Sequence, residues 1–381
     1  MKNTQVKFNE NDVFHQLFWF RRLLALPNAQ KLNTSYSYLF HVVGMIFLLL
    51  VLFVWSLFNK CKAWKEFSSL SVFVFEVVTL IILTLFSLVT ILFTNFLRRK
   101  SFKVLMENLT ELDHLMNNLQ FRKRRKCIFI ELVTVHLVFV FLYIYDIYTS
   151  VISFESNTYI FKIPDFINQY VMTLEVVTMC NYAQAIKCKF KALNLSLKKY
   201  VKSSVQNSSM NCDLDKYMDM HSKLCSTIST FNDCFGVQIL GVFFVGLIAT
   251  TYGAFIFLLY ASGNAKISYD VSVFYRLMLF LIFICYFMLL GIIITVSCVA
   301  TAWTGRHTAT VCYKQLLQTL PFPKSLCERT LKKELLALAD QVSQRQINFT
   351  ACRFLTIDFK TLCTLFGSTA MNVIILLQFK K

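Results

Sequence analysis

The stretch Tyr38–Phe58 reads YLFHVVGMIFLLLVLFVWSLF and lies inside an uncharged run from Leu32 to Asn59. About 20 consecutive apolar residues in a helix cross the roughly 30 Å hydrocarbon core of a bilayer, so this stretch reads as a membrane span. Working outward, six more spans follow. They are Leu70–Phe96, Ile128–Ser150, Phe166–Ile186, a span within Cys234–Ala265, Val273–Trp303 and Thr361–Phe379. The fourth is the most polar, carrying Asn168, Gln169, Glu175, Asn181 and Gln184. Only helices satisfy their own backbone in lipid, so the chain reads as an all-α polytopic membrane protein with seven transmembrane helices.

Composition agrees. Hydrophobic residues make up 56% of the 381 and charged residues 16%, with 39 Phe. A soluble domain carries about 25% charged residues, so a soluble enzyme is a poor fit.

Orientation follows from Lys and Arg between spans. The N-terminal segment, the second loop and the fourth loop carry five, nine and eight, and the stretch Arg306–Arg345 carries seven. The intervening loops carry three, one and one, and the C-terminal tail two. The basic set marks the cytoplasmic side, which puts the N-terminus inside and the C-terminus outside. Much of the net charge of +18 is this topology signal. A nucleic-acid partner is not expected, because the charges are spread between spans and not gathered on one domain. The sequons at Asn33, Asn108, Asn194, Asn207 and Asn348 all fall on the expected inside. Cys61 alone among 13 cysteines falls in an outer loop, so no extracellular disulfide is expected within one chain.

The long inner segments have helical patterns. Val311, Gln315 and Gln318 continue the sixth span as far as Pro321. Leu331, Leu335, Leu338 and Val342 then recur at helical spacing. The chain therefore divides into a cytoplasmic N-terminal segment (1–35), a six-helix bundle with cytoplasmic extensions (36–303), cytoplasmic anchor helices (304–360) and a last helix with a short outer tail (361–381). Phe14, Leu17, Phe18, Arg21 and Arg22 suggest an amphipathic helix at the inner membrane face. Phosphate-binding, dinucleotide, zinc-protease and hydrolase motifs are absent, and the cysteines lack metal-ligand spacing. No enzyme activity, cofactor or metal is expected.

Ionisable residues inside spans are costly and point to function or to buried pairing. Glu76 fits a structural role, snorkelling to the interface or pairing with Lys65, and Glu131 a pair with the run Arg122–Lys126. Tyr143, Asp146, Glu175, Tyr252, Tyr260 and Arg276 are candidates to line an outward-facing ligand pocket. A buried ion pair that holds the bundle together is the equal alternative for the charged members.

The last span carries Thr361, Thr364, Ser368 and Asn372 at spacings of three, four and four, which puts four polar side chains on one helix face. Gln378 and Phe379 close it. Such a stripe either packs inside its own bundle or faces an aqueous pore shared by several copies. Periodicity slightly favours internal packing.

The C-terminal stretch Leu338–Phe379, with Gly367-Ser-Thr369 and the ending Ile374-Ile-Leu-Leu-Gln378-Phe379, resembles the signature of insect gustatory receptors. Similar to that family are also His221, Leu224, Asn232, Phe235, Gly236 and Leu240, and the segment Arg22–Pro27. Met371-Asn372 stands where the family has Thr-Tyr, which marks a divergent member. The resemblance implies a tastant-gated, tetrameric, non-selective cation channel in the plasma membrane, expected in sensory neuron dendrites. It implies homo- or hetero-tetramers with related subunits, a small-molecule ligand in the outer half of each bundle, and permeating cations. It also turns Thr361, Thr364, Ser368, Asn372, Gln378 and Phe379 into pore lining and gate. An odorant-receptor-type subunit is the nearest alternative. A G-protein-coupled receptor has seven helices in the opposite orientation, which the charge count opposes.

Overall fold

The structure is a computed structural model that describes residues 24, 36–62, 70–116, 121–153, 162–206, 214–261, 271–319 and 326–378. Its helices are α1 (Tyr36–Lys62), α2 (Leu70–Leu92), α3 (Arg99–Met116), α4 (Phe121–Ser153), α5 (Ile163–Gln206), α6 (Asp215–Ala261), α7 (Val271–Thr319), α8 (Leu326–Gln344) and α9 (Phe359–Gln378). One π-helical turn, Phe93–Leu97, ends α2, and its closing bond runs from Arg98 N to Phe93 O at 2.8 Å. The expected helices beneath the seven spans are all present. The expected N-terminal amphipathic helix, Phe379 and Lys65 lie outside the described residues.

Among the described residues six helices are long and apolar enough to cross a membrane, and α5 is not one of them. Its burial gives the reason. Val171, Met172, Leu174, Glu175, Val176 and Tyr182 on α5 are all essentially inaccessible. Polar residues of α5 meet partners on its neighbours. Asn168 donates to Thr84 on α2 at 3.0 Å, and Thr173 pairs with Tyr286 on α7. Further along, Thr301 of α7 donates to the Ala183 carbonyl at 3.0 Å. A helix enclosed by other helices need not match lipid, so apolarity fails to mark it. By contrast, α1 turns Phe40, Phe47, Val54 and Phe58 outward, and α4 turns Leu137, Phe141 and Ile144 outward. On a multi-pass chain these are lipid-facing side chains.

At 1.5 Å per residue, the 44, 47 and 49 residues of α5, α6 and α7 run about 65–75 Å, twice what a bilayer needs. Their excess length projects from one end of the bundle. There Leu197 and Val201 of α5, Val311 and Cys312 of α7, and Leu331, Leu335, Leu338 and Val342 of α8 form a second buried core. The helical spacing expected for α8 thus corresponds to its buried face.

Between α8 and α9 the chain makes a small hairpin that the sequence reading did not anticipate. Thr350 pairs with Thr356 and Ala351 with Leu355. The turn is closed by Phe354 N donating to Ala351 O at 3.0 Å, with Cys352 and Arg353 at φ 54° and 59°. Two successive left-handed residues are usually Asn or Gly. Here α6 holds them in place. Asn232 accepts from Thr350 N at 3.1 Å and donates to the Asn348 carbonyl at 3.0 Å. Gly236 lets the turn approach, since a Cβ there would lie 2.7 Å from Cys352 N.

Candidate functional site

On α4, His136, Phe139, Tyr143 and Asp146 recur at spacings of three, four and three, which is one helix face. On α5, Phe166, Tyr170 and Thr173 recur likewise. The two faces meet. The Tyr143 ring lies edge-on to Phe166 at 4.2 Å, and Phe139 lies 5.1 Å from the Tyr170 ring. His136 Nδ1 is 2.6 Å from the Leu132 carbonyl, which only accepts, so Nδ1 carries the proton. In the neutral ring Nε2 then accepts from the Tyr170 hydroxyl at 2.6 Å. Thr173 and Tyr286 extend this line onto α7. Aromatic walls with a few convergent polar groups are the chemistry of a small-molecule site.

The other expected pocket residues are spread over α4, α5, α6 and α7. Asp146 is buried and pairs with Lys162 at 2.8 Å. Burial alone would lower the Lys162 ammonium, yet Asp146 and then Glu76 hold it above its ordinary value. Glu175 is fully buried within α5. Tyr252 is buried on α6 with its ring 6.3 Å from Phe280 of α7, edge-on. The backbones of Tyr260 and Arg276 lie in α6 and α7, and their side chains lie outside the described residues. Tyr143 and Tyr252 therefore belong to two separate aromatic contacts, one between α4 and α5 and one between α6 and α7.

Glu76 has a different partner from the expected Lys65. Lys60, nearly inaccessible at the end of α1, holds Glu76 of α2 at 3.1 Å and Asp165 of α5 at 2.8 Å. With Lys162–Asp146 this ties the ends of α1, α2, α4 and α5 together. Sequence reasoning missed His136, Phe139, Phe166 and Tyr170 as a group, although the shared three-four spacing on two helices was a usable signal.

The last helix is built differently. Asp358 caps it, accepting from Thr361 N at 2.7 Å. That backbone bond is the main reason the Asp358 carboxyl lies below the usual carboxylate range. Leu362 and Val373 are buried against the chain, and Thr369 lies 3.4 Å from Thr250 of α6. Thr364 is exposed and bonds back to the Lys360 carbonyl at 3.0 Å, while Thr361, Ser368 and Asn372 are half-buried and Gln378 is exposed. Over its apolar window 11% of α9 is buried within the chain, the same share as in α4, so its polar face and not its coverage sets it apart.

These features define a multi-pass helical membrane protein with an aromatic contact between α4 and α5 and a last helix that carries a half-exposed polar face. It belongs to the 7tm chemosensory receptor family, whose model matches residues 27–381. Among solved structures the chain is similar to the insect olfactory receptor OR5 from Machilis hrabei, with a TM-score of 0.61 at 15% identity over 97% of this chain and 100% of that one. The same receptor in complex with eugenol gives a TM-score of 0.60 at 13% identity, over 96% of each chain. At such identities the likeness is one of fold. No curated protein matches the sequence.

Proposed function

We propose that this protein is a gustatory receptor that works as a tastant-gated, non-selective cation channel, a tetramer assembled around α9 in the plasma membrane. The observation that carries the reading is the state of α9. A membrane helix with Thr364, Ser368 and Asn372 only half-covered or bare would expose costly polar groups to lipid if it stood alone. Facing water in a shared pore removes that cost. Phe379, which follows α9, supplies an apolar ring that keeps the closed pore dry. The N-terminus is cytoplasmic and the C-terminus outside, as the basic loops require, so the second core built around α8 is the cytoplasmic anchor.

The ligand site lies between α4, α5 and α7, around Tyr143, Phe166, Tyr170 and His136. Its walls are aromatic, which suits an apolar tastant better than a sugar. The eugenol complex of the Machilis receptor favours the neighbouring reading, an odorant-type subunit of the same build. Recording from cells that express this chain alone separates the two. Currents evoked by contact tastants support a gustatory receptor, and currents evoked only by volatile odorants support the alternative. No current with either class, at normal surface expression, contradicts a self-sufficient channel.

A further inference from the structure

Two unusual backbone segments meet at one cavity. The π-helical turn ends at Arg98, and the left-handed turn holds Cys352 and Arg353. Between them and α6 lies a cavity of about 390 Å³ lined by Arg98, Asn232, Asp233, Gly236, Cys352 and Arg353. π-turns and left-handed non-glycine residues concentrate where backbone is bent to serve a site. Here both bends deliver an arginine to the same space.

The two guanidiniums differ. Arg353 reaches Asp233 at 3.2 Å. Arg98 lies over the Phe93 ring at 5.5 Å, and among the described residues no carboxylate pairs with it. The cavity therefore has a net positive wall. Each arginine is also next to an exposed apolar residue. Leu97 is 69% exposed and Phe354 85%. A soluble anion has no use for such neighbours, whereas a lipid does, because its phosphate and its acyl chains must be met at one level. Arg98 follows the second span and the hairpin leads into the last span, so the cavity lies at a membrane boundary. In the orientation proposed above, that boundary is the inner leaflet, where anionic lipids concentrate and basic pockets between helices hold phosphorylated head groups.

We infer that this cavity binds the phosphorylated head group of an anionic inner-leaflet lipid, with Arg98 and Arg353 on the phosphate and Asn232 as a polar neighbour. Asp233 competes with the lipid for Arg353. The hairpin runs through Asp358 directly into α9, so an occupied cavity holds the base of the last helix. The inference rests on the proposed orientation for its leaflet, but the binding itself needs neither current nor gating.

The test uses the detergent-solubilised full chain and a fluorescent phosphatidylinositol phosphate, with phosphatidylcholine as the neutral probe. Arg98→Gln with Arg353→Gln should weaken binding by more than tenfold, since each basic residue at an anionic surface contributes about a factor of five. Arg99→Gln with Lys100→Gln removes the same charge beside the cavity and should leave most of the binding. Asp233→Asn frees Arg353 and should tighten binding several-fold, a gain that a misfolded variant does not give. Displacement by soluble inositol phosphate at the same concentration as the lipid would keep the phosphate site but assign it to a free phosphate. Equal losses in both double variants, or no gain with Asp233→Asn, would overturn the inference. Because current is not read, failure here leaves the channel reading standing.

Discussion

Helices α5 and α9 invert each other. The first is the most polar of the seven spans and less apolar than the other six, yet it is the most enclosed helix of the bundle. The second registers as a span, yet its own chain barely covers it. Polar groups of α5 are engaged inside the chain, by Thr84, Thr301 and Tyr286. Polarity in α9 has few such partners, since Thr364 bonds only to its own helix and Thr369 approaches Thr250 at 3.4 Å. The same residue types thus serve packing in one helix and face outward in the other. Substitutions in and around α5 should damage folding and spare conduction, and those along the α9 stripe should do the reverse.

The largest effect is expected where α5 is tied to its neighbours by charge. Lys60→Met leaves Glu76 and Asp165 without their shared cation. Breaking one side of a buried pair costs about 3–5 kcal/mol, so the variant should lose most surface expression and melt much earlier in detergent. Restoring balance with Glu76→Gln and Asp165→Asn in the same chain should recover much of the loss.

A middling effect is expected at the start of α9. Asp358→Ala removes the cap on Thr361 N, worth about 1 kcal/mol, and should lower the melting temperature slightly. The sign of its pH dependence follows from the depressed carboxyl. A group with a lowered folded-state value stabilises the fold above its unfolded value and loses that stabilisation as pH falls through the folded one. Stability of the wild type relative to Asp358→Ala should therefore be flat near neutral pH and shrink only in acid.

The smallest effect is a single hydrogen bond in the packed helix. Asn168→Leu removes its bond to Thr84 and should cost about 0.6 kcal/mol, the usual worth of such a bond between membrane helices. Conductance should be unchanged. A changed conductance at this position would mean that α5 shares the ion path, which would collapse the contrast.

The same contrast explains what was legible beforehand. Hydropathy reports what touches lipid, so Tyr38–Phe58 was plain, while the helix beneath Phe166–Ile186 stood out least because its lipid-like surface is small. Helical spacing reports a buried face, so Leu331, Leu335, Leu338 and Val342 predicted α8 and its core. The hairpin escaped notice because its left-handed positions are Cys352 and Arg353, and neither is a turn residue. Its stability comes from Asn232 and Gly236, which lie more than a hundred residues away in sequence. The partner of Asp146 was hidden for a related reason. Lys162 reads as a loop residue until α4 and α5 are placed side by side. The candidate pocket was legible only in part, since Tyr143 and Tyr252 proved to sit in different helix pairs.

The central claim is that α9 lines a pore shared by several copies, and single-channel recording tests it most directly. Asn372→Asp puts a ring of carboxylates in a narrow path and should change cation conductance or relative permeability about twofold or more, at normal surface expression. Phe379→Ala should raise the current that flows without ligand. The same conductance and reversal potential as the parent for Asn372→Asp, together with an unchanged resting current for Phe379→Ala, would contradict a pore lined by the last helix.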